Sequence, residues 1–260
     1  MKAKPSWLHQ KLNVSGTGGL NWHLRALRSR RLWAPTTEHI ANALNLWRPQ
    51  TEELLLIGPS AGWMLPTPWL ARFKTIHAFD LDALAAPLFH QRHGRRLGQA
   101  GTQVISHRLD AIAELPKLLA QHPQAAIWFD NVLGQLRYVH RDENELAAQF
   151  KRIRHQLKHR SWGSVHDWLS GAVQSPPPVP SIGCHWVHLN DQGLKVCRAD
   201  GTNVRTSDEI QRLLGSVHAN GVWQDHGCQD MFPLQTRRCW IPWAFSADHW
   251  HWLELGWVNA

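Results

Sequence analysis

The feature that most restricts the fold is a short apolar run that ends in a glycine-flanked loop. Glu53-Leu54-Leu55-Leu56-Ile57 leads directly into Gly58-Pro59-Ser60-Ala61-Gly62. An apolar run this short, bounded by Gly and Pro, suits a strand buried on both faces of a parallel sheet. Glycine lets the backbone adopt positive φ and come close to a ligand. In open α/β sheets, ligands lie across the carboxyl ends of the strands. The loop after this run is therefore a candidate ligand loop.

The pattern recurs along the chain. Residues 75–79 read as a second strand ending at Asp80, and 103–107 as a third. Residues 125–129 read as a fourth strand ending at Asp130, and 161–169 as a fifth. Helical stretches lie between them at 83–92, 111–120 and 143–158, with a short one at about 68–73 and a loop at 94–101. In the longest, Leu146, Phe150, Ile153 and Leu157 share one face. This alternation predicts an α/β fold: a doubly wound, mostly parallel sheet with helices on both faces. No internal repeat interrupts it.

The acids at the strand ends add chemistry. Asp80 follows Gly58 by twenty-two residues, close to the spacing of about 20 expected for an acid that accepts ribose hydroxyls. Leu54 to Gly62, Ala78 to Leu84, Leu109-Asp110-Ala111, Phe129-Asp130-Asn131 and the return over 157–164 together resemble the class I S-adenosylmethionine-dependent methyltransferases. The resemblance covers residues 54–169. It implies a Rossmann-like domain, S-adenosylmethionine as cofactor, and methyl transfer to an acceptor that the sequence does not name.

The same resemblance assigns roles. Gly58, Ser60 and Gly62 would wrap the amino acid end of the cofactor. Asp80 would hold the ribose, with Leu81 beside the adenine. Asp110 and Ala111 would sit at the adenine amino group. Asp130 and Asn131 would end the fourth strand next to the reactive methyl. Two positions depart from the family pattern: Leu56 stands where an acid is usual, and Ser60 replaces the middle glycine. The run Asp130-Asn131-Val132-Leu133-Gly134-Gln135 is not one of the base-methylating signatures. These departures keep a second reading open, a catalytically inactive binding module of the same fold. Asp80 and Asp110 also suit strand-end or capping acids, and Asn131 suits a turn.

Four units follow from composition. Residues 1–50 form a basic segment and helix that cap the core, and 51–171 form the cofactor-binding core. Residues 172–206 hold a Pro-rich linker and a β-hairpin insertion turning at Asn190-Asp191-Gln192-Gly193. Residues 207–260 supply a helix capped by Ser207 and antiparallel strands at 221–225, 239–245 and 249–258 that close the sheet. In the first unit, 21–32 reads as a short helix. Thr36 or Thr37 then N-caps a second helix carrying Ile40, Leu44 and Trp47, which Pro49 stops. A cap of this kind would bring Asn21, Trp22, His23 and Arg25 over the pocket.

Competing chemistries are present. Gly58-Pro59-Ser60-Ala61-Gly62 also matches the G-x-S-x-G elbow of serine hydrolases. Against it, helix and loop precede Leu54, and Pro66 and Pro68 follow. No GK[ST] follows the loop, which excludes a P-loop, and the full G-x-G-x-x-G of nicotinamide enzymes is absent. Cys184, His185, His188, Cys197, His226, Cys228 and Cys239 lack the tight ligand pairs of zinc sites. They read as dispersed, so no metal is expected. The chain has 16 Trp against a single Tyr. On 249–258, Trp250 and Trp252 share one face, and His249, His251, Leu253 and Leu255 the other. Such aromatics either fill a core or stack on bases. A histidine is the expected general base, with none singled out among the 18.

Composition sets outer limits. A hydrophobic fraction of 43% with 18% charged residues excludes a disordered chain. The formal charge of +8 favours anionic partners, nucleic acid among them. The four cysteines form no C-x-x-C pair, and MKAKPSWLHQKLNV has no apolar targeting core. No stretch has the length of a membrane span. A cytoplasmic protein without disulfides is the expectation.

Overall fold

The computed structural model describes residues 18–140, 142–174, 195–197, 203–204, 208–228, 230–233 and 236–260. Its centre is a run of parallel strands: β1 (Glu53–Ile57), β2 (Thr75–Phe79), β3 (Gln103–His107), β4 (Ala126–Asp130) and the start of β5 (Trp162–Val173). They lie in the order β3-β2-β1-β4-β5. The chain winds outward from β1 to β3, then crosses back to β4. The winding direction therefore reverses between β1 and β4, where such sheets open a crevice at the strands' carboxyl ends.

Antiparallel strands close the sheet, as the sequence predicts. They are β8 (Ala219–Asp225), β9 (Arg238–Ala244) and β10 (His249–Val258), while β6 (Lys195–Cys197) pairs parallel to β8 and antiparallel to β7 (Asn203–Val204). β5 outruns β4 and pairs with β10 along its whole length and with β8 over its far half. β9 lies on the other side of β10. β6 and β7 extend the edge beyond β8.

Side-chain alternation along the strands feeds two helical layers. Leu54, Leu56 and Trp128 face a core shared with α1 (Gly19–Arg28), α2 (Arg30–Leu44), α3 (Thr67–Leu70), α4 (Ala85–Phe89) and α5 (Arg95–Gln99). Leu55, Ile57, Ile127 and Phe129 face α6 (Leu115–Gln121), α7 (Val132–Val139) and α8 (Glu143–Gln156). A third core lies under α9 (Asp208–Ser216), against β5, β8 and β10.

Tryptophan builds these cores. Trp128 packs 5.5 Å from both Trp47 and Trp69. Each buried indole removes about 200 Å² from water, worth about 5 kcal/mol of gross transfer energy. Trp250 and Trp252 are buried with α9, and the Trp252 indole N–H donates to the Leu213 carbonyl at 3.1 Å. Base stacking by these two residues is thereby corrected: β10 runs between two strands and both of its faces are covered.

Helix boundaries depart from the sequence reading where distant contacts decide them. α2 begins at Arg30 and contains Pro35, so neither Thr36 nor Thr37 is its N-cap. The Thr36 hydroxyl instead donates to the Pro242 carbonyl at 2.9 Å, and Trp33 is buried against Trp243. Burial against β9 draws the helix about two turns further back than its capping signals. Residues 94–101 are not a loop, because a π-helical turn (His90–Gly94) joins α4 to α5. α7 was not foreseen. The linker at 175–180, the hairpin turn at 190–193 and Ser207 lie outside the described residues. Among the described residues no helix is long and apolar enough to cross a membrane.

Candidate functional site

The loop after β1 and the end of β4 meet at the switch point. Gly58 has φ +70°, and its N–H donates to the Phe79 carbonyl at 2.8 Å. A Cβ there would stand 1.9 Å from Val132 Cγ2. Only glycine lets the loop lie this close to the start of α7. Asp80, one residue past β2, fixes the loop. One carboxylate oxygen accepts the Ser60 N–H and the other the Asp82 N–H, both at 2.8 Å. Burial pushes the Asp80 carboxyl above its ordinary range, and these two N–H groups oppose that rise.

A cleft opens above these groups. Gly58, Ser60, Asp80 and Leu81 line it from the first two strand ends. Asp110, Ala111, Asp130 and Asn131 line it from the next two. Leu81 is largely exposed, as a residue left for a ligand to cover would be. Asp110 also caps its own turn, accepting the N–H groups of Ile112 and Ala113 at 3.0 and 3.1 Å. Asp130 is buried, and its Oδ1 has no partner among the described residues. Burial, reinforced by repulsion from Asp80, pushes its carboxyl up to about 8.

Gly62 does not line the cleft. It turns away toward the π-helical turn, where a Cβ would lie 2.5 Å from His93 Nε2. The His93 ring bonds the Thr67 hydroxyl at 2.8 Å and the Gly62 carbonyl at 3.2 Å. Burial and the Arg92 charge push His93 down to about 4, which keeps it neutral. Gly62 therefore shapes the underside of the loop.

Three groups of contacts at the site are made across the fold, and no local spacing in the sequence specifies them. The first is the tie from α1. The Trp22 indole N–H donates to the Ser60 hydroxyl at 2.9 Å, and Trp22 lines the cleft. Asp82 is the second. It accepts the Gly19 N–H at 2.6 Å, the Leu84 N–H at 2.9 Å and His23 Nε2–H at 2.9 Å. Burial opposes ionisation of Asp82, yet His23 and these N–H groups outweigh it and lower its pKa. The Trp63 indole donates to His23 Nδ1 at 3.1 Å, which fixes the His23 tautomer. Of the four residues expected over the pocket, Trp22 and His23 are engaged there. Asn21 is exposed, and Arg25 lies 4.7 Å over the Phe245 ring.

The third group is a buried polar cluster behind Asn131. Asn131 adopts φ +59°, donates to Asp167 Oδ2 at 3.0 Å and accepts the Asp167 N–H at 2.9 Å. His251 Nδ1 lies 2.8 Å from Asp167 Oδ1, while its Nε2 is buried without a partner among the described residues. The His251 ring packs 5.0 Å from Trp243, which lines the cleft. Burial alone would raise Asp167, but His251, His226 and Asn131 hold it well below the usual carboxylate range. His226 bonds the Gly134 carbonyl at 3.0 Å and the Ser170 hydroxyl at 2.9 Å. Burial pushes it down to about 4. Of the Cys and His residues considered as ligands, His226 belongs to this cluster. Cys228 is buried nearby, and Cys184, His185 and His188 lie outside the described residues.

No family model matches the chain, and no curated protein does either. Solved structures give loose likenesses. One is a SAM-dependent methyltransferase from Anabaena variabilis ATCC 29413, 12% identical, with 90% of this chain and 93% of that chain covered and a TM-score of 0.41. Another is a putative O-methyltransferase from Klebsiella pneumoniae, 15% identical, with 98% and 95% covered and a TM-score of 0.41. The fold assignment rests on the sheet itself. Strand order, antiparallel closure and the cleft at the switch point give this chain a Rossmann-like fold of the class I methyltransferase type.

Proposed function

We propose that the chain is an S-adenosylmethionine-dependent methyltransferase. One observation carries this reading: eight residues expected at the cofactor, from four successive strand ends, line one cleft. The cleft fits the group in two respects. Gly58 leaves room where a Cβ would collide, and Asp130 presents a buried oxygen without a partner. In this reading Gly58 and Ser60 face the amino acid end, and Asp80 holds the ribose. Leu81, Asp110 and Ala111 border the adenine. Asp130 and Asn131 border the transferring group.

The bound cofactor supplies an electrophilic methyl group. The chain's own part is to orient the acceptor and exclude water. A carboxyl held at about 8 lets Asp130 donate a hydrogen bond near neutral pH. Where the acceptor must lose a proton, we infer that His251, packed against the cleft-lining Trp243, is the base. Asp167 orients its Nδ1, which leaves Nε2 to accept. The charge of +8 favours an anionic acceptor, nucleic acid included.

A second reading, a binding module without transfer, draws on specific contacts. Both Asp80 oxygens already hold backbone N–H groups, Trp22 occupies the Ser60 hydroxyl, and Leu56 is core. A serine hydrolase has less support, since among the described residues no histidine is hydrogen-bonded to Ser60.

Calorimetry with S-adenosylhomocysteine tests the proposal. Wild type binds and Asp80→Asn binds at least tenfold more weakly, while both give the same circular dichroism. Absence of binding to wild type overturns the proposal. Binding without methyl transfer to RNA, DNA or protein pools from labelled cofactor supports the module instead. A nucleic-acid acceptor further requires binding that weakens steeply with salt.

A further inference from the structure

A second cluster of ligand-type side chains lies at the other end of β1. Glu53 opens that strand, five residues before the Gly58 loop. Side chains of Glu53, His77 on β2 and His107 on β3 project from the same face of the sheet, the face that α6 covers. His122 joins them just past α6. Its turn is held by the Arg160 guanidinium, which donates to the carbonyls of Leu119, His122 and Ala125 at 3.1, 2.6 and 3.3 Å.

The distances are those of a ligand set. Glu53 Oε1 lies 2.7 Å from His122 Nδ1 and 3.2 Å from His77 Nε2. All three atoms lie within 4.8 Å of one another. Tetrahedral ligands 2.0–2.2 Å from an ion stand about 3.4 Å apart, so small rotations bring these atoms onto one centre. The His77 and His122 rings are 4.3 Å apart. Behind His77, its Nδ1 lies 3.3 Å from His107 Nε2. A proton on that Nδ1 leaves Nε2 with a lone pair facing Glu53, the outer-shell arrangement that metal-ligating histidines use.

Availability agrees with geometry. The side chains of His77, His122 and Glu53 are 13%, 20% and 32% exposed, so an ion reaches them from solvent.

We propose that Glu53, His77 and His122 bind one divalent transition-metal ion of the zinc type, with His107 as the outer partner of His77. Two imidazole nitrogens and one carboxylate favour zinc, cobalt, nickel or copper over magnesium or calcium. Three protein ligands leave the remaining coordination position to water. The ion would tie the start of β1 to the middle of β2 and to the turn after α6. Its role is to clamp the sheet, apart from the chemistry of the cleft.

The test uses full-length protein stripped with EDTA and titrated with ZnCl₂ and CoCl₂. Expected are one ion per chain with micromolar or tighter affinity, a raised melting temperature, and a visible cobalt absorption band. His122→Ala and Glu53→Gln lose these responses, while His226→Gln, in the other His–Asp cluster, keeps them. Glu53→Gln preserves shape and covers the case in which His122→Ala does not fold. No binding to wild type overturns the proposal and leaves the cluster as a proton-shared network. Binding kept by both Glu53→Gln and His122→Ala also overturns it, as does binding lost only in His226→Gln.

Discussion

Asn131 and Asp167 exchange two hydrogen bonds between the end of β4 and the middle of β5: the Asn131 amide donates to Asp167 Oδ2, and the Asp167 N–H donates to Asn131 Oδ1. Asn131 does this from a left-handed backbone conformation. Asn131→Ala therefore loses on two counts. The left-handed region costs about 1–2 kcal/mol for a residue with a Cβ, and an unpaired buried N–H costs about 1–3 kcal/mol. A total loss of about 2–5 kcal/mol is expected in urea unfolding at 25 °C. Asn131→Gly relieves the first cost only and should fall between wild type and Asn131→Ala. Equal losses in the two variants would show that the backbone conformation contributes nothing.

Gly58 carries a different constraint. A methyl group there meets Val132 Cγ2 and a positive φ together. Gly58→Ala should lower the melting temperature by several degrees and abolish S-adenosylhomocysteine binding. Adding Val132→Ala removes the collision but not the strain of about 1–2 kcal/mol. The double variant should therefore recover part of the stability, a coupling that a double-mutant cycle measures. Simple additivity of the two losses would contradict the contact.

The Trp22–Ser60 bond is the point where α1 holds the ligand loop. Trp22→Phe keeps an aromatic ring beside Trp33 and Phe245 but removes the donor. Stability should change by only about 1 kcal/mol, the net worth of one hydrogen bond. Amide hydrogen exchange at residues 60–62 should quicken, with β2 unchanged. Unchanged exchange in the loop would rule out the tie.

The buried titratable groups predict a stability maximum near pH 6.5. Asp130 is raised to about 8 when folded, above its unfolded value. It stabilises fully below about pH 4, and that stability is lost as pH rises through 8, at about 1.4 kcal/mol per pH unit. His93 and His226 are both lowered to about 4 when folded. Each loses stability as pH falls from about 6.5 toward 4, at the same rate per unit. Together the two histidines outweigh Asp130 on the acid side, and Asp130 lowers stability between about 6.5 and 8, in the same direction as the raised Asp80. Asp130→Asn should flatten that alkaline decline in denaturation measured across pH. A decline that persists in the variant would assign it elsewhere.

Sequence alone determined what depends on local pattern. The strands at 53–57, 75–79, 103–107 and 249–258 fall on their expected residues, because apolar runs and side-chain alternation are properties of neighbours. The acids at strand ends came with them. Asp80, Asp110 and Asp130 border one cleft because parallel strands place all their carboxyl ends on one edge. Tertiary structure decided the rest. α2 starts at Arg30, despite threonine caps further on, because Trp33 and Thr36 gain partners on β9, more than two hundred residues away. Gly62 belongs to the underside of the loop because a π-helical turn brings His93 beneath it. Eighteen histidines look alike in sequence. Only the pairing of β5 with β10 sets His251 beside Asp167, and only the order of β1, β2 and α6 gathers Glu53, His77 and His122. The loop at Gly58 was legible because backbone freedom is written in one residue. The polar partnerships around it are contacts across the sheet, which no local spacing encodes.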